Sequence, residues 1–322
     1  MTQTRAEQFF NLKAVNVAAR HIQSEQSRGK QDSVQTIQTS HRLDILYALL
    51  TGDDPTSPAS GSEGQVEADY TLLSGNMVDL GCGQGDQTGV LAAVLSNNPE
   101  RYKESKVWGV DPAVPGYGSP YTIQQAQEEL LKDITISNHL SFQLGKTGPE
   151  MLKERSFDTV FLSHSSWYFP SAQVLTASFK SIREAGVKHL LLAEWAMTAS
   201  HPNALPHLLS VLLQGQSPVE GGNVQTALSP EQMKKVAADS GWKVKRELTF
   251  LPAEKLQDGG WEVYMAREAA HEAAKADAGG DEVKAKLLQL VQATRYAMEE
   301  AAARYGKQTR SMDVWTAVLI PA

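Results

Sequence analysis

Apolar residues recur along this chain in two rhythms. Over residues 4–25, Phe9, Phe10, Leu12, Val15, Val17, Ala18 and Ile22 share a broad helical face, which predicts an N-terminal helix. The polar stretch 23–40 follows, and within it Ser27-Arg28-Gly29-Lys30-Gln31-Asp32-Ser33 is too polar for core and too short for a domain linker, so it reads as an ordered or ligand-ordered loop. Ser40 is placed to cap a second helix through Leu43, Ile45, Leu46, Leu49 and Leu50 that stops at Gly52. Residues 53–68, rich in Pro, Ser, Gly and Glu, read as a mobile surface loop.

Beyond Met77 the rhythm changes to short apolar runs separated by helical stretches, the arrangement of a parallel sheet covered on both faces. Strands are predicted at 76–80, 106–110, 140–144, 159–163 and 189–194, and a later pair, 242–251 and 313–320, is expected to close one edge as antiparallel neighbours. Between that pair, the Ala/Glu/Lys-rich segment 261–305 is broken at Ala278-Gly279-Gly280 and predicts a helical hairpin inserted into the last strand connection. The expected fold is α/β, a Rossmann-like, doubly wound, mostly parallel seven-stranded sheet. Its organisation reads as a helical lid and loop over 1–70, a core over 71–200, a cap over 201–230, and the end of the sheet over 231–322 with the insertion at about 258–306.

Composition narrows the classes. With 30 Lys plus Arg against 37 Asp plus Glu, a net charge of −7, the chain is not built to grip phosphate backbones, and no basic stripe is patterned for nucleic acid. At 41 % hydrophobic and 21 % charged residues it has the means to bury a core. The single cysteine, Cys82, makes no internal disulfide, no Cys/His spacing offers a zinc site, and no apolar run is long enough to span a bilayer. A cytoplasmic protein is expected.

The sharpest motif is Met77-Val78-Asp79-Leu80-Gly81-Cys82-Gly83-Gln84-Gly85-Asp86, a strand entering a glycine turn that opens a helix near Gln87. Gly81 and Gly83 allow a tight turn and close approach of a ligand, and the helix start offers free N–H groups. The spacing differs from the G-x-G-x-x-G of dinucleotide-binding turns and lacks the Lys-Ser/Thr of a phosphate loop. Asp79 would repel a pyrophosphate but suits a ligand with an ammonium group. The second strand ends at Asp111-Pro112, where a carboxylate can accept from two ribose hydroxyls.

Together these elements resemble the class I S-adenosylmethionine-dependent methyltransferases over 77–194, and the whole chain resembles fungal small-molecule methyltransferase-domain proteins. The resemblance implies S-adenosylmethionine as cofactor and no metal, with a nicotinamide protein as the alternative. It places Asp79 near the methionine end, Gly81, Cys82, Gly83, Gln84 and Gly85 against the cofactor, Asp111 and Pro112 at the ribose, and Gly145 and Lys146 near adenine, although the usual acidic residue is missing there. Ser163 and His164 end the fourth strand beside the reactive methyl. The Asn/Asp-Pro-Pro-aromatic tetrad of amino methyltransferases acting on bases is absent, as are the carboxylates of metal-dependent catechol enzymes.

His164 and Glu194 are the candidate catalytic residues, with hydrogen bonding within the loops as their bland alternative. Tyr117, Tyr121, Trp167, Tyr168, Trp195, His207 and Trp261 are candidates to line an acceptor pocket, with core packing as the alternative for Trp167, Tyr168 and His207, while Asp258 suits a helix cap. Gln38-Thr39-Ser40-His41-Arg42-Leu43 also stands out as unlike generic filler. The expected activity is methyl transfer to nitrogen or oxygen of a small metabolite in specialised metabolism, with a homodimer left open. Its rivals are a non-methylating cyclisation or rearrangement and a non-catalytic cofactor-binding regulator.

Overall fold

Seven strands join in one sheet: β1 Asn76–Leu80, β2 Lys106–Asp111, β3 Leu140–Leu144, β4 Thr159–Ser163, β5 His189–Trp195, β6 Trp242–Phe250 and β7 Val314–Pro321. Their order is β3-β2-β1-β4-β5-β7-β6. The first five are parallel, and β7 runs antiparallel between β5 and β6. This is a computed structural model, and it describes residues 3–57, 67–218, 222–273 and 279–322. Residues 58–66 of the expected surface loop and Ala278 of the hairpin break lie outside the described residues.

The predicted strands stand at their places because both sheet faces are covered. Met77, Val107, Phe161 and Leu191 join the core on one face, and Val78, Val110, Val160 and Leu190 join that on the other. Central strands covered on both sides read as continuous apolar runs, whereas the edge strand β6 alternates exposed with half-buried positions between its buried ends. The chain passes from β1 outward to β2 and β3 and then returns to β4 on the other side of β1. That reversal opens a crevice at the carboxyl ends of β1 and β4, where open α/β sheets bind ligands.

Two expectations near the N-terminus are corrected. The single helix over 4–25 is instead two short ones, Arg5–Phe10 and Ala14–Ala18. Asn11 takes a left-handed conformation, φ 50°, and ends the first. The buried Glu7 carboxylate then accepts from the Ala14 N–H at 2.6 Å, fixing the second against it. The next helix, Val34–Thr51, is capped by Ser33 rather than Ser40, its hydroxyl accepting from the Thr36 N–H, and it ends at left-handed Gly52 as expected. Its first turns hold Thr36, Gln38 and Thr39, which are polar yet buried, so the apolar rhythm begins too late to mark the true start.

Within the segment expected as a cap over 201–230, a helix runs Leu205–Gln216 after a short 3-10 turn Pro202–Ala204. Pro206 stands in its first turn, where a missing N–H costs nothing. The hairpin between β6 and β7 is the pair Asp258–Ala273 and Glu282–Tyr305. Leu213, Val263, Ala266, Val291, Met298 and Ala302 form a small core joining these three helices. No helix among the described residues is long and apolar enough to cross a membrane.

Candidate functional site

The three glycines of the turn do different work, though all have positive φ, 71° at Gly81, 52° at Gly83 and 93° at Gly85. A Cβ on Gly81 would stand 2.7 Å from that of Ser165, whose hydroxyl donates to the Leu80 carbonyl at 2.8 Å. One on Gly85 would meet Leu130 and Phe142 at 2.9 Å. Beside Gly83 there is nothing within 4 Å, and the same is true at Gly145, φ 69°, after β3. Gly81 and Gly85 are thus required by internal contacts, and Gly83 and Gly145 face open space.

The turn is fastened to its neighbours by backbone and amide groups. Gly81 and Cys82 donate to the Val110 carbonyl, the Gln84 amide donates to the Tyr121 carbonyl at 2.9 Å, and the Gln127 amide donates to that of Gly83 at 2.8 Å. Cys82 is buried, and burial pushes its thiol well above the usual range. At the end of β2, Asp111 accepts from the Gly83 N–H and, through its other oxygen, from the Ala113 N–H, each at 2.9 Å. Each carboxylate oxygen takes more than one donor, so acceptor capacity remains for a ligand's hydroxyls. Asp79 is buried on β1, accepts from the Thr88 hydroxyl at 2.6 Å, and is pushed up to about 7 by its desolvation. Pro112 is exposed, and Lys146 pairs with Glu154.

At the ends of β4 and β5 a polar chain crosses the core. Glu194 Oε2 accepts from the Ser166 N–H and hydroxyl at 3.2 and 2.7 Å, and Oε1 accepts from the Trp195 N–H at 3.1 Å and lies 3.3 Å from His164 Nδ1. His164 Nε2 in turn lies 2.9 Å from Nε2 of His41, which comes from the 34–51 helix. Both candidate catalytic groups are therefore bonded inside the protein, and neither ring nitrogen of His164 is left for an acceptor. The backbone at His164 is left-handed, φ 50°, a conformation that costs energy in a residue with a Cβ and that clusters at functional sites.

Trp195 is the scaffold of this chain. Its ring centroid lies 4.1 Å from that of His164, stacks on His41 at 6.0 Å and meets His207 edge-on at 4.9 Å. His207 is buried and accepts the Met312 N–H on Nδ1, and desolvation drives it down to about 3. Trp167 is also buried, its carbonyl accepting from the N–H groups of residues 225 and 226. Ser163 donates to the Gln87 side chain at 3.2 Å. Tyr117 and Tyr168 are exposed, Trp261 is exposed on the cap, and Tyr121 is half-buried.

Sequence reasoning singled out the 38–43 stretch without assigning its roles. Gln35, Gln38 and His41 lie on one face of the 34–51 helix and reach, respectively, Asp86 at 2.7 Å, Asp258 at 2.7 Å and His164. The signal was there: polar residues at helical spacing in an otherwise apolar helix. Asp258 is the first residue of the Asp258–Ala273 helix rather than the cap before it, and its carboxylate accepts from Gln38, with burial raising it.

No family model matches the chain. It is 28 % identical to the methyltransferase phomM of Diaporthe leptostromiformis and to its counterpart phomM′, over 86 % of this chain and 82 % of each relative. Among solved structures, the cyclopropane-fatty-acyl-phospholipid synthase-like protein of Lactobacillus casei superposes with a TM-score of 0.71 at 23 % identity, covering 98 % of this chain and 99 % of that one. Its likeness concerns the fold. In strand order, glycine turn and sequence relatives, the chain is thus similar to the class I S-adenosylmethionine-dependent methyltransferases, with the Rossmann-like α/β fold read from its sequence.

Proposed function

We propose that the protein is an S-adenosylmethionine-dependent methyltransferase that moves a methyl group to a nitrogen or oxygen of a small molecule, in specialised metabolism of fungal type. The observation that carries this reading is the open space beside Gly83, next to a carboxylate at Asp111 with acceptor capacity to spare. The residues fit the cofactor. Asp111 would hold the ribose hydroxyls, Gly83 and Gly145 would let an adenosyl group approach the backbone, and Asp79 would lie toward the methionine end. When bound, S-adenosylmethionine supplies an electrophilic methyl on a sulfonium, which an in-line nucleophile can take without a metal.

The rest is positioning and exclusion of water. The N-terminal segment is pinned beside the core: Arg20 pairs with Asp133 at 3.0 Å and Arg28 with Glu129 at 3.6 Å, just after the helix Ile123–Leu131 and within it, and Gln35 donates to Asp86, where the glycine turn opens its helix. The Asp258–Ala273 helix is tied to the 34–51 helix by Gln38, whose amide donates to Asp258 at 2.7 Å. The acceptor would lie beyond the end of β4, beside the 34–51 helix. Glu194 is saturated by protein donors, so pairing with an acceptor cation falls to other groups, and the choice between amine and hydroxyl stays with the acceptor itself.

Incubation with methyl-labelled S-adenosylmethionine and a panel of small amines, phenols and alcohols tests the reading. Label in the acceptor with stoichiometric S-adenosylhomocysteine is the expected result. Product without S-adenosylhomocysteine would show a rearrangement on the same fold. Cofactor binding with no turnover on any panel member or fungal small-molecule extract would point to a regulator.

A further inference from the structure

The proton that leaves the acceptor needs a destination, and the structure offers an end to the Glu194–His164 chain. Resting on the methyltransferase reading, we infer that His41 is the catalytic base, its Nδ1 taking the acceptor proton, with His164 and Glu194 as positioning residues that relay charge behind it.

Hydrogen-bond logic fixes the direction. Glu194 accepts N–H donors on both oxygens, as a carboxylate does, so His164 carries its proton on Nδ1 toward Oε1. His164 Nε2 is then an acceptor, and the 2.9 Å contact requires the proton on His41 Nε2. That leaves His41 Nδ1 a bare lone pair. This nitrogen is buried, and it has no hydrogen-bond partner among the described residues, on a side chain only 1 % exposed. Unmet polar atoms in a native interior call for a ligand or water, and His41 Nδ1 is such an atom, as are Nε and Nη1 of the next residue, Arg42, and Nε2 of Gln87, whose side chain accepts from Ser163 beside His164. The face of the 34–51 helix that carries His41 and Arg42 also reaches the glycine-turn helix through Gln35 and the Asp258–Ala273 helix through Gln38.

As the acceptor atom bonds to the methyl carbon and the sulfur–methyl bond breaks, the acceptor's proton passes to His41 Nδ1. The proton on His41 Nε2 shifts to His164 Nε2, and that on His164 Nδ1 shifts to Glu194 Oε1. One proton enters, and Glu194 ends as a neutral acid still accepting the Trp195 and Ser166 donors. Burial raises the Glu194 carboxyl to about 7 and lowers both imidazoles well below their ordinary value, so each ring passes a proton on rather than holding a second one, and Glu194 is the group that keeps it. His164, just after β4, and Arg42, on the same helix, bear on the His41 ring, and Arg42 opposes a second charge on either ring; behind His164 stand Glu194 on β5 and His207 on the Leu205–Gln216 helix.

Long-range proton–nitrogen spectra of the full chain with nitrogen-labelled histidines, with and without S-adenosylhomocysteine, read the arrangement directly. At pH 8 the inference expects His41 protonated on Nε2 only and His164 on Nδ1 only. The opposite tautomers, His41 on Nδ1 and His164 on Nε2, would overturn it, because His41 would then donate rather than accept. His41→Gln keeps an amide donor toward His164 but no base. On an acceptor from the labelled panel its kcat is expected to fall about a hundredfold, with cofactor affinity unchanged and the His164 tautomer preserved. An unchanged kcat would also overturn the inference. Absence of S-adenosylhomocysteine binding in calorimetry would instead remove the methyltransferase reading while leaving the tautomers measurable.

Discussion

The two ends of the crevice are made of different material. At the cofactor end, the ligand surface is backbone and glycine: the turn after β1, the open side of Gly83 and the carboxylate at the end of β2, all within one strand–turn–strand passage. At the acceptor end it is side chains brought from afar, His41, His164 and Glu194, each on a different element and His41 separated from His164 by 123 positions. A backbone site can be written in a short local pattern. A side-chain site depends on packing, and its members become meaningful only when the elements meet.

The buried carboxylates of the two ends sharpen this contrast. Asp79 and Glu194 are both raised to about 7 by burial, but Asp79 has one side-chain hydroxyl donor whereas Glu194 has donors on both oxygens. Because the folded value of Asp79 lies above its unfolded one, its contribution to stability is full below about pH 4 and is lost as pH rises through 7. The stability of the wild type relative to Asp79→Asn should therefore fall over that window, by roughly 4 kcal/mol at most, and flatten above it. Thermal melts from pH 4 to 8.5 check this, and a flat difference would mean that Asp79 is solvated.

The next largest effect separates the glycines. Gly83→Val should weaken S-adenosylhomocysteine binding about a hundredfold, equivalent to about 2.8 kcal/mol, by filling the open side. Gly81→Ala should instead lower the melting temperature through its clash with Ser165, at a cost of about 1–3 kcal/mol, while the folded fraction still binds. Calorimetry and melting on the two variants decide the matter, and a swap of their phenotypes would break the division of roles.

At the acceptor end, Glu194→Gln turns an amide NH2 toward either the Ser166 or the Trp195 N–H. A loss of about 1–3 kcal/mol in urea unfolding is expected, with cofactor affinity preserved. Loss of cofactor binding without loss of stability would place Glu194 in the other half of the site.

The sheet was legible because each strand is a short apolar run bounded by turn residues, and even the inserted hairpin is marked by a change of composition. The Val34–Thr51 helix start was not, since its first turns hold Thr36, Gln38 and Thr39, buried polar residues of which Thr36 bonds the cap and the loop before it and Gln38 reaches Asp258. The N-terminal break was hidden because apolar spacing continues across Asn11 while the backbone there turns left-handed. Of the candidate residues, the spacing of Gly81, Gly83 and Gly85 pointed to the turn, but only three-dimensional contacts distinguish Gly83 from its neighbours. His164 was found from its strand end, and its exhaustion by Glu194 and His41 could be seen only once the helix was in place.

Titration calorimetry of S-adenosylhomocysteine with the wild type and with Asp111→Ala tests the central claim most directly, with melting curves to confirm that both are folded. The account predicts binding by the wild type and a loss of about tenfold to a hundredfold in the variant. Equal affinities, or no binding by a folded wild type, would contradict it.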